Sequence, residues 1–258
     1  MPAAQLNRSV LRLSGEGVAA WLEGLITNSL TSALTFTALL TPQGKIIADF
    51  FVTKDGDDLL IDTPQKFTAD LFKRLRMYKL RAPIEIKDIS ETHNVYALWD
   101  GTGEEGHEDP RHSSLGRRLI TKDFLEASDD YDAHRLSLGV TDSALDFESV
   151  TTFPADANMD LMNGVDFKKG CFVGQEVVSR MKRMTTVKKR MRGLILEGSA
   201  QKGDKIMAGS RVIGEVYHSH KNYGMGLIRL DRLKDAEVSP TINDTPVTIM
   251  DSIDGHKT

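Results

Sequence analysis

Apolar residues at Val18, Trp21, Leu22, Leu25 and Ile26 follow a Ser14-Gly15 turn with the spacing of one helical face, which predicts a helix over about residues 16 to 26. The stretch FTALLTPQGKIIADFFVTKDGDDLLIDTP switches to β-rich runs broken at Pro42-Gln43-Gly44 and at Asp55-Gly56-Asp57, both suited to hairpin turns. Helical spacing returns at Phe67, Leu71, Leu75 and Tyr78. PIEIKDIS and HNVYALWD then read as strands, so residues 45 to about 100 interleave strands and a helix in an α+β pattern. Residues 101 to 116, rich in Gly, Glu and Asp, read as an exposed loop, and another helix is expected around 131 to 138. From Met191 the runs RGLILEG, SRVIGEVYHSH, YGMGLIRL and PVTIM alternate with Gly, Asn and Asp, predicting a small antiparallel barrel or sandwich.

Composition narrows the class. With 33 Lys+Arg against 37 Asp+Glu, the net charge of -4 argues against a dedicated nucleic-acid binder, so any basic patch is local. No segment approaches a membrane span, and the start of the chain lacks the apolar core of a secretory signal. A single cysteine can form no internal disulfide and cannot supply a cluster or structural zinc site alone, which points to reducing surroundings. The expectation is a cytoplasmic protein.

That cysteine, Cys171, lies in KKGCFVGQE. A helix starting near Gly174 would place Val177, Val178, Met181 and Met184 on one face and the thiol near its N-terminus, beside Lys168 and Lys169. Two readings stand: a reactive thiolate, or a small side chain packed under a loop whose glycines permit the turn. Asp49 interrupts the apolar run KIIADFFV, so it is either partnered inside or turned outward on a half-exposed strand. Arg180 to Arg192, RMKRMTTVKKRMR, holds seven Lys or Arg and no acid, which suits either a solvated linker or an anion site. It lacks aromatics, so base stacking has no platform. The seven histidines show no metal-ligand spacing, and no Walker A, GxGxxG or GxSxG motif occurs.

Lys169-Gly170-Cys171-Phe172-Val173-Gly174-Gln175-Glu176 resembles the signature of the YgfZ family. Leu22, Gly24, Thr27 and Asn28 are similar to that family's LxG..TN segment, Thr41 to Lys45 to its TPxGK turn, and Phe153-Pro154 through Asp160 to the approach to the signature, so the resemblance spans nearly the whole chain. It implies an α+β three-domain ring like the glycine-cleavage T protein, closed by a C-terminal antiparallel β-barrel. The implied domains are 1–45 with 125–190, an insertion at 46–124, and a barrel at 191–258. It implies a protein that binds tetrahydrofolate or another reduced folate and assists assembly or repair of iron–sulfur enzymes, with those enzymes or assembly proteins as partners. A folate-dependent aminomethyltransferase is the alternative and a folate sensor without chemistry a third. Carried onto this chain, Cys171, Lys169 and Asp49 are the candidates for chemistry. Asn28, Asp156, Gly170, Phe172, Gly174, Gln175, Glu176 and Arg180 are those for the cofactor, Asp156 standing where relatives have a pterin-binding Glu and Arg180 facing the glutamate tail. T proteins carry paired aspartates where this chain has Ala48-Asp49, so weak or absent aminomethyl transfer is expected.

Overall fold

A computed structural model of the chain describes residues 2–101, 103–127, 129–184, 187–251 and 253; His256 and the Thr185-Thr186 pair of the basic run lie outside the described residues, as does the side chain of Met184. Strands β1 (Ala3–Gln5) and β2 (Arg8–Ser14) precede helix α1 (Val18–Glu23), which is shorter than the apolar spacing predicts. Gly17, at φ 72°, opens this helix and Gly24 closes it, while Ile26 beyond has already turned extended to bridge Leu39. The β-rich stretch becomes a meander of β3 (Leu34–Leu40), β4 (Ile46–Asp55) and β5 (Asp58–Pro64), reversing at the two predicted turns. Helix α2 (Thr68–Lys79) leads to β6 (Glu85–Asp88), β7 (Asn94–Leu98), β8 (His107–Glu108) and β9 (Arg117–Thr121). Helices α3 (Tyr131–Ser137) and α4 (Gln175–Met184) bracket a long irregular segment. Last come β10 (Lys189–Leu196), β11 (Lys205–Ala208), β12 (Arg211–His220), β13 (Tyr223–Arg229), α5 (Leu230–Lys234), β14 (Thr241–Ile242) and β15 (Thr245–Ile249).

The strands form three antiparallel systems: a sheet ordered β3-β4-β5-β2-β6, a sheet ordered β1-β7-β9-β8, and a closed barrel β10-β13-β12-β11-β14-β15. One face of the five-stranded sheet is covered by α1 and α2 through Val18, Leu22, Leu71 and Leu75. Its other face, with Phe36, Phe51 and Leu40, joins a central core shared with Trp99, Tyr131, Met159, Phe172, Val178 and the barrel's Met191 and Met225. Both faces are therefore dry, which is why every residue of β3 and the first seven of β4 are buried, and why β4 opens as a nearly continuous apolar run, IIADFFV. A division at residue 45 falls between β3 and β4, which pair from Leu34↔Thr53 to Leu40↔Ile46, so this sheet draws its strands from both sides of that position.

The acidic segment expected as an exposed loop is half interior. Asp109, Arg111, His112 and Leu115 are buried because charge is matched there rather than solvated. Arg111 grips Asp109 through Nε and Nη2 at 3.0 and 2.8 Å and donates to the Tyr131 hydroxyl at 3.0 Å. Arg118 and Arg8 close on Asp62, and all three guanidinium groups lie over the Phe51 ring, Arg118 at 4.0 Å. The arginines hold the Asp62 and Asp109 carboxyls below the usual range against the opposing effect of burial, which is the larger single influence on each.

Candidate functional site

Three separate stretches of sequence meet around Cys171. Thr27 accepts from the Ala38 amide at 2.9 Å and donates to the Gly164 carbonyl at 2.7 Å, so the edge of β3 is tied to the turn that begins the cysteine loop. Asn28 continues the seam, donating to Phe36 O at 3.0 Å and Asn163 O at 2.6 Å. Ser29 then holds Asp166 at 2.6 Å, and Asp166 accepts from the Lys168 amide at 2.8 Å.

Lys169 turns back under α1. Its ammonium donates to the carbonyls of Glu23, Ile26 and Asn28 at 2.6, 2.7 and 3.1 Å, the first at the end of α1 and the other two in the segment that follows it. Burial lowers its pKa, with Glu23 and Asp166 opposing. A fully occupied ammonium of this kind clamps the loop. On the other side of the cysteine, Phe172 is buried in the central core, its ring 5.3 Å from that ammonium.

Gly174 then seals the loop onto the TPQGK turn. It sits at φ +83°, and a Cβ there would lie 2.6 Å from the Thr41 carbonyl and 3.1 Å from Gly44 Cα. Gly44, at φ +76°, would in turn press a Cβ to 3.0 Å from Val177 Cβ, so two glycines let the turn and the start of α4 interlock. Gly170 has open space around its Cβ position. Between these anchors Cys171 is exposed, which removes the reading of a packed structural cysteine. Gln175 reaches back to the Gly170 carbonyl at 3.4 Å.

Beside α4 lies an apolar cleft of about 200 Å³, lined among others by Pro154, Val165, Phe167, Val178 and Met181, with Lys182 at its edge. That is below the roughly 300–1,000 Å³ of pockets for drug-sized ligands, so it suits a ring system rather than a whole folate. Arg180 is not among its lining residues; it is exposed and paired with Glu176 at 3.3 Å. Arg190 borders the cleft but is committed to Asp160 through two bonds at 2.7 and 2.8 Å. Asp156, 3% exposed, follows the cleft residue Ala155. Its Oδ2 makes no hydrogen bond, although the Lys189 ammonium approaches to 3.3 Å as an ion pair. Lys45 stands close enough for its charge to feel Asp156, though burial is the larger influence and lowers its pKa.

Asp49 belongs to another place. It points inward, buried, accepting from the Ser143 hydroxyl, which settles the inward-or-outward question left by the sequence. Burial raises its pKa, with Arg8 and the Ser143 bond opposing. No hydrogen bond or ion pair among the described residues joins it to the Cys171 loop. Ser143 and Lys182 are contributions that sequence reasoning missed. Lys182 was visible only as one cation in a run, and Ser143 carried no signal. Among the described residues no cluster of His, Cys, Asp and Glu suits a metal ion, and no helix is long and apolar enough to cross a membrane.

Comparison with known proteins fits this geometry. Residues 182–251 match the family model of the CAF17 C-terminal β-barrel domain. The chain is 29% identical over 219 residues to the mitochondrial iron–sulfur cluster assembly factor IBA57 homolog of Mycosarcoma maydis, covering 72% of this chain and 54% of that protein. It is 29% identical over 235 residues to the homolog of Neurospora crassa, covering 75% and 54%. Against the mitochondrial IBA57 of Mus musculus it is 24% identical over 277 residues, covering 88% and 77%. The chain thus spans about half the length of the fungal relatives. In structure it superposes on the glycine cleavage system aminomethyltransferase T of Bartonella henselae with a TM-score of 0.74 at 12% identity, covering 97% of this chain and 85% of that one. The fold is therefore that of the T protein, α+β with a closed C-terminal barrel.

The cytoplasmic expectation is corrected by these relatives, which are mitochondrial by name. Scarce cysteine separates reducing from oxidising surroundings, and a missing apolar core speaks only to secretion, since mitochondrial transit peptides are amphipathic and Arg-rich.

Proposed function

We propose that this chain is a reduced-folate-binding accessory protein of iron–sulfur cluster assembly, with Cys171 as its working thiol. The observation that carries the reading is the presentation of that thiol: exposed, between a Lys169 clamped to three carbonyls and a Phe172 anchored in the core. The similarity to proteins named as iron–sulfur cluster assembly factors supports the assembly part. The T-protein fold supports the folate part. One thiolate supplies one ligand, so the thiol takes part in transfer or repair with an assembly protein or client enzyme and does not house a cluster alone.

For the folate, Asp156 adjoins the cleft residue Ala155 without lining the cleft itself, and its Oδ2 takes no hydrogen bond, only the Lys189 ion pair; a pterin amino group reaching it from the cleft would supply that bond, which supports a pterin there. The glutamate tail then runs toward the basic segment, where Lys182 is the first cation at the cleft and Arg180 lies further out. Aminomethyl transfer is not favoured, since Asp49 is buried and already bonded to Ser143.

Two measurements test the proposal. A strain lacking its own copy should regain iron–sulfur enzyme activity when this chain is supplied, and no loss of those activities in the unsupplied strain would refute the assembly role. Calorimetric titration should show saturable tetrahydrofolate binding that weakens in Asp156→Ala. Absence of binding would remove the folate part while leaving the thiol part standing.

A further inference from the structure

The outer face of α2 is chemically unlike its surroundings. Leu71 and Leu75 turn into the core, so the opposite stripe, Lys73, Arg76, Met77 and Leu80 at i, i+3, i+4 and i+7, faces water. Met77 is 64% and Leu80 86% exposed. Leu80 ends the helix at φ 47° and ψ -109°. A bulky side chain is strained in such backbone, and glycine is the residue helices commonly put at this turn. Glycine would remove both the strain and the apolar side chain from water, yet leucine stands here.

Around these two apolar side chains lie Lys73, Arg76, Lys79 and Arg81, and none of them has a salt-bridge partner among the described residues. The one acid of the helix, Asp70, is taken by Arg74 at 2.8 Å. Four cations without a carboxylate partner among the described residues, Arg76 lying 5.7 Å over the Phe72 ring, gather on a chain of net charge -4 and make a local positive field that an anionic surface would complement.

We propose that this face of α2 docks an acidic protein surface, whose carboxylates meet Lys73, Arg76, Lys79 and Arg81 around an apolar recess that receives Leu80 and Met77. A bilayer is disfavoured because lying in its interface takes a whole apolar helix face, and the one α2 possesses is buried in the core. One or two anchors in a recess suffice for a protein interface. Nucleic acid is disfavoured because the exposed stripe presents no aromatic ring for stacking. This docking face is separate from Cys171 and stands whatever becomes of the folate reading.

The test places a photo-crosslinking amino acid at Ala69, one turn before Lys73 on the same side, in the full chain in its host cells. A control places it at Lys54 on the β4–β5 hairpin. The expected result is a discrete protein adduct from Ala69 alone, at an acid-rich site of the partner, reduced at least about tenfold by Leu80→Gly and by Arg76→Glu with Arg81→Glu. Leu80→Gly should keep or raise the thermal midpoint, which separates lost docking from lost folding. No discrete adduct, one that survives both changes, or one at a basic site would overturn the proposal. So would flotation of the purified protein with phosphatidylcholine–phosphatidylglycerol vesicles that the same substitutions abolish, since the patch would then serve a membrane.

Discussion

Replacing Gly174 with alanine should destabilise the protein by about 2–5 kcal/mol, whereas Gly170→Ala, four residues earlier in the same motif, should stay within about 0.5 kcal/mol of the parent. Two terms make up the first figure. Leaving glycine for an L-residue at φ +83° costs about 1–2 kcal/mol. Forcing a methyl to 2.6 Å from the Thr41 carbonyl, with Gly44 Cα and Leu40 Cβ at 3.1 and 3.2 Å, adds an overpacking cost of about 1–3 kcal/mol, because backbone on both sides has to move. Gly170 has neither term, since nothing lies within 4 Å of its Cβ position. Gly56→Ala is a useful control with the backbone term only, its φ being +61° in open space. The assay is urea unfolding of the four proteins, comparing midpoints at unchanged slope. If Gly174→Ala matched Gly56→Ala, the interlock of the two turns would contribute nothing. If Gly170→Ala cost as much as Gly174→Ala, the account of the loop would be wrong.

Other outcomes follow from the buried charges. Asp62→Ala should cost about 3–5 kcal/mol, since Arg8 would be left without its carboxylate and Arg118 with only the longer contact to Asp109 at 3.6 Å; a loss under 1 kcal/mol in urea unfolding would contradict the network. Because the Asp62 pKa is lowered on folding, its contribution is present above 3.8 and fades as pH falls through the lower folded value, so Asp62→Asn should flatten the acid limb of the stability curve. Asp49 has the opposite sign. Its folded pKa is raised, so folding is opposed increasingly as pH climbs above 3.8, and Asp49→Asn should gain stability relative to the parent from acid toward neutral pH. A variant that loses ground along that path would show the carboxylate to be needed charged. Lys169→Met should cost about 1–3 kcal/mol by leaving unpaired the carbonyl that ends α1 and two in the segment after it, and Arg180→Ala, exposed and singly paired, within about 0.5 kcal/mol.

The hairpins at Pro42-Gln43-Gly44 and Asp55-Gly56-Asp57, the faces of α1 and α2, and the terminal barrel were legible because local periodicity and turn chemistry decide them. The meeting of Asn28, Gly44, Lys169 and Gly174 was legible only through resemblance, since the residues are over a hundred positions apart and make contact by backbone carbonyls and bare glycines. The interior of Asp109 and Arg111 was illegible for a different reason. Charged residues in a Gly-rich stretch signal solvent, and the nearby Arg118 on β9 that faces Asp109 is itself held inside by Asp62 on β5, which is remote in sequence. Arg180 shows the limit of a charge run, which does not tell which cation faces the cleft and which faces water.

If the exposed Cys171 thiol does chemistry, a side chain without sulfur cannot replace it. A strain lacking its own copy is given the parent chain or Cys171→Ala at equal accumulated protein, and the activities of its iron–sulfur enzymes are measured. The exposed side chain predicts an alanine variant as stable as the parent that nonetheless fails to restore those activities. Full restoration by Cys171→Ala would show that the thiol is dispensable.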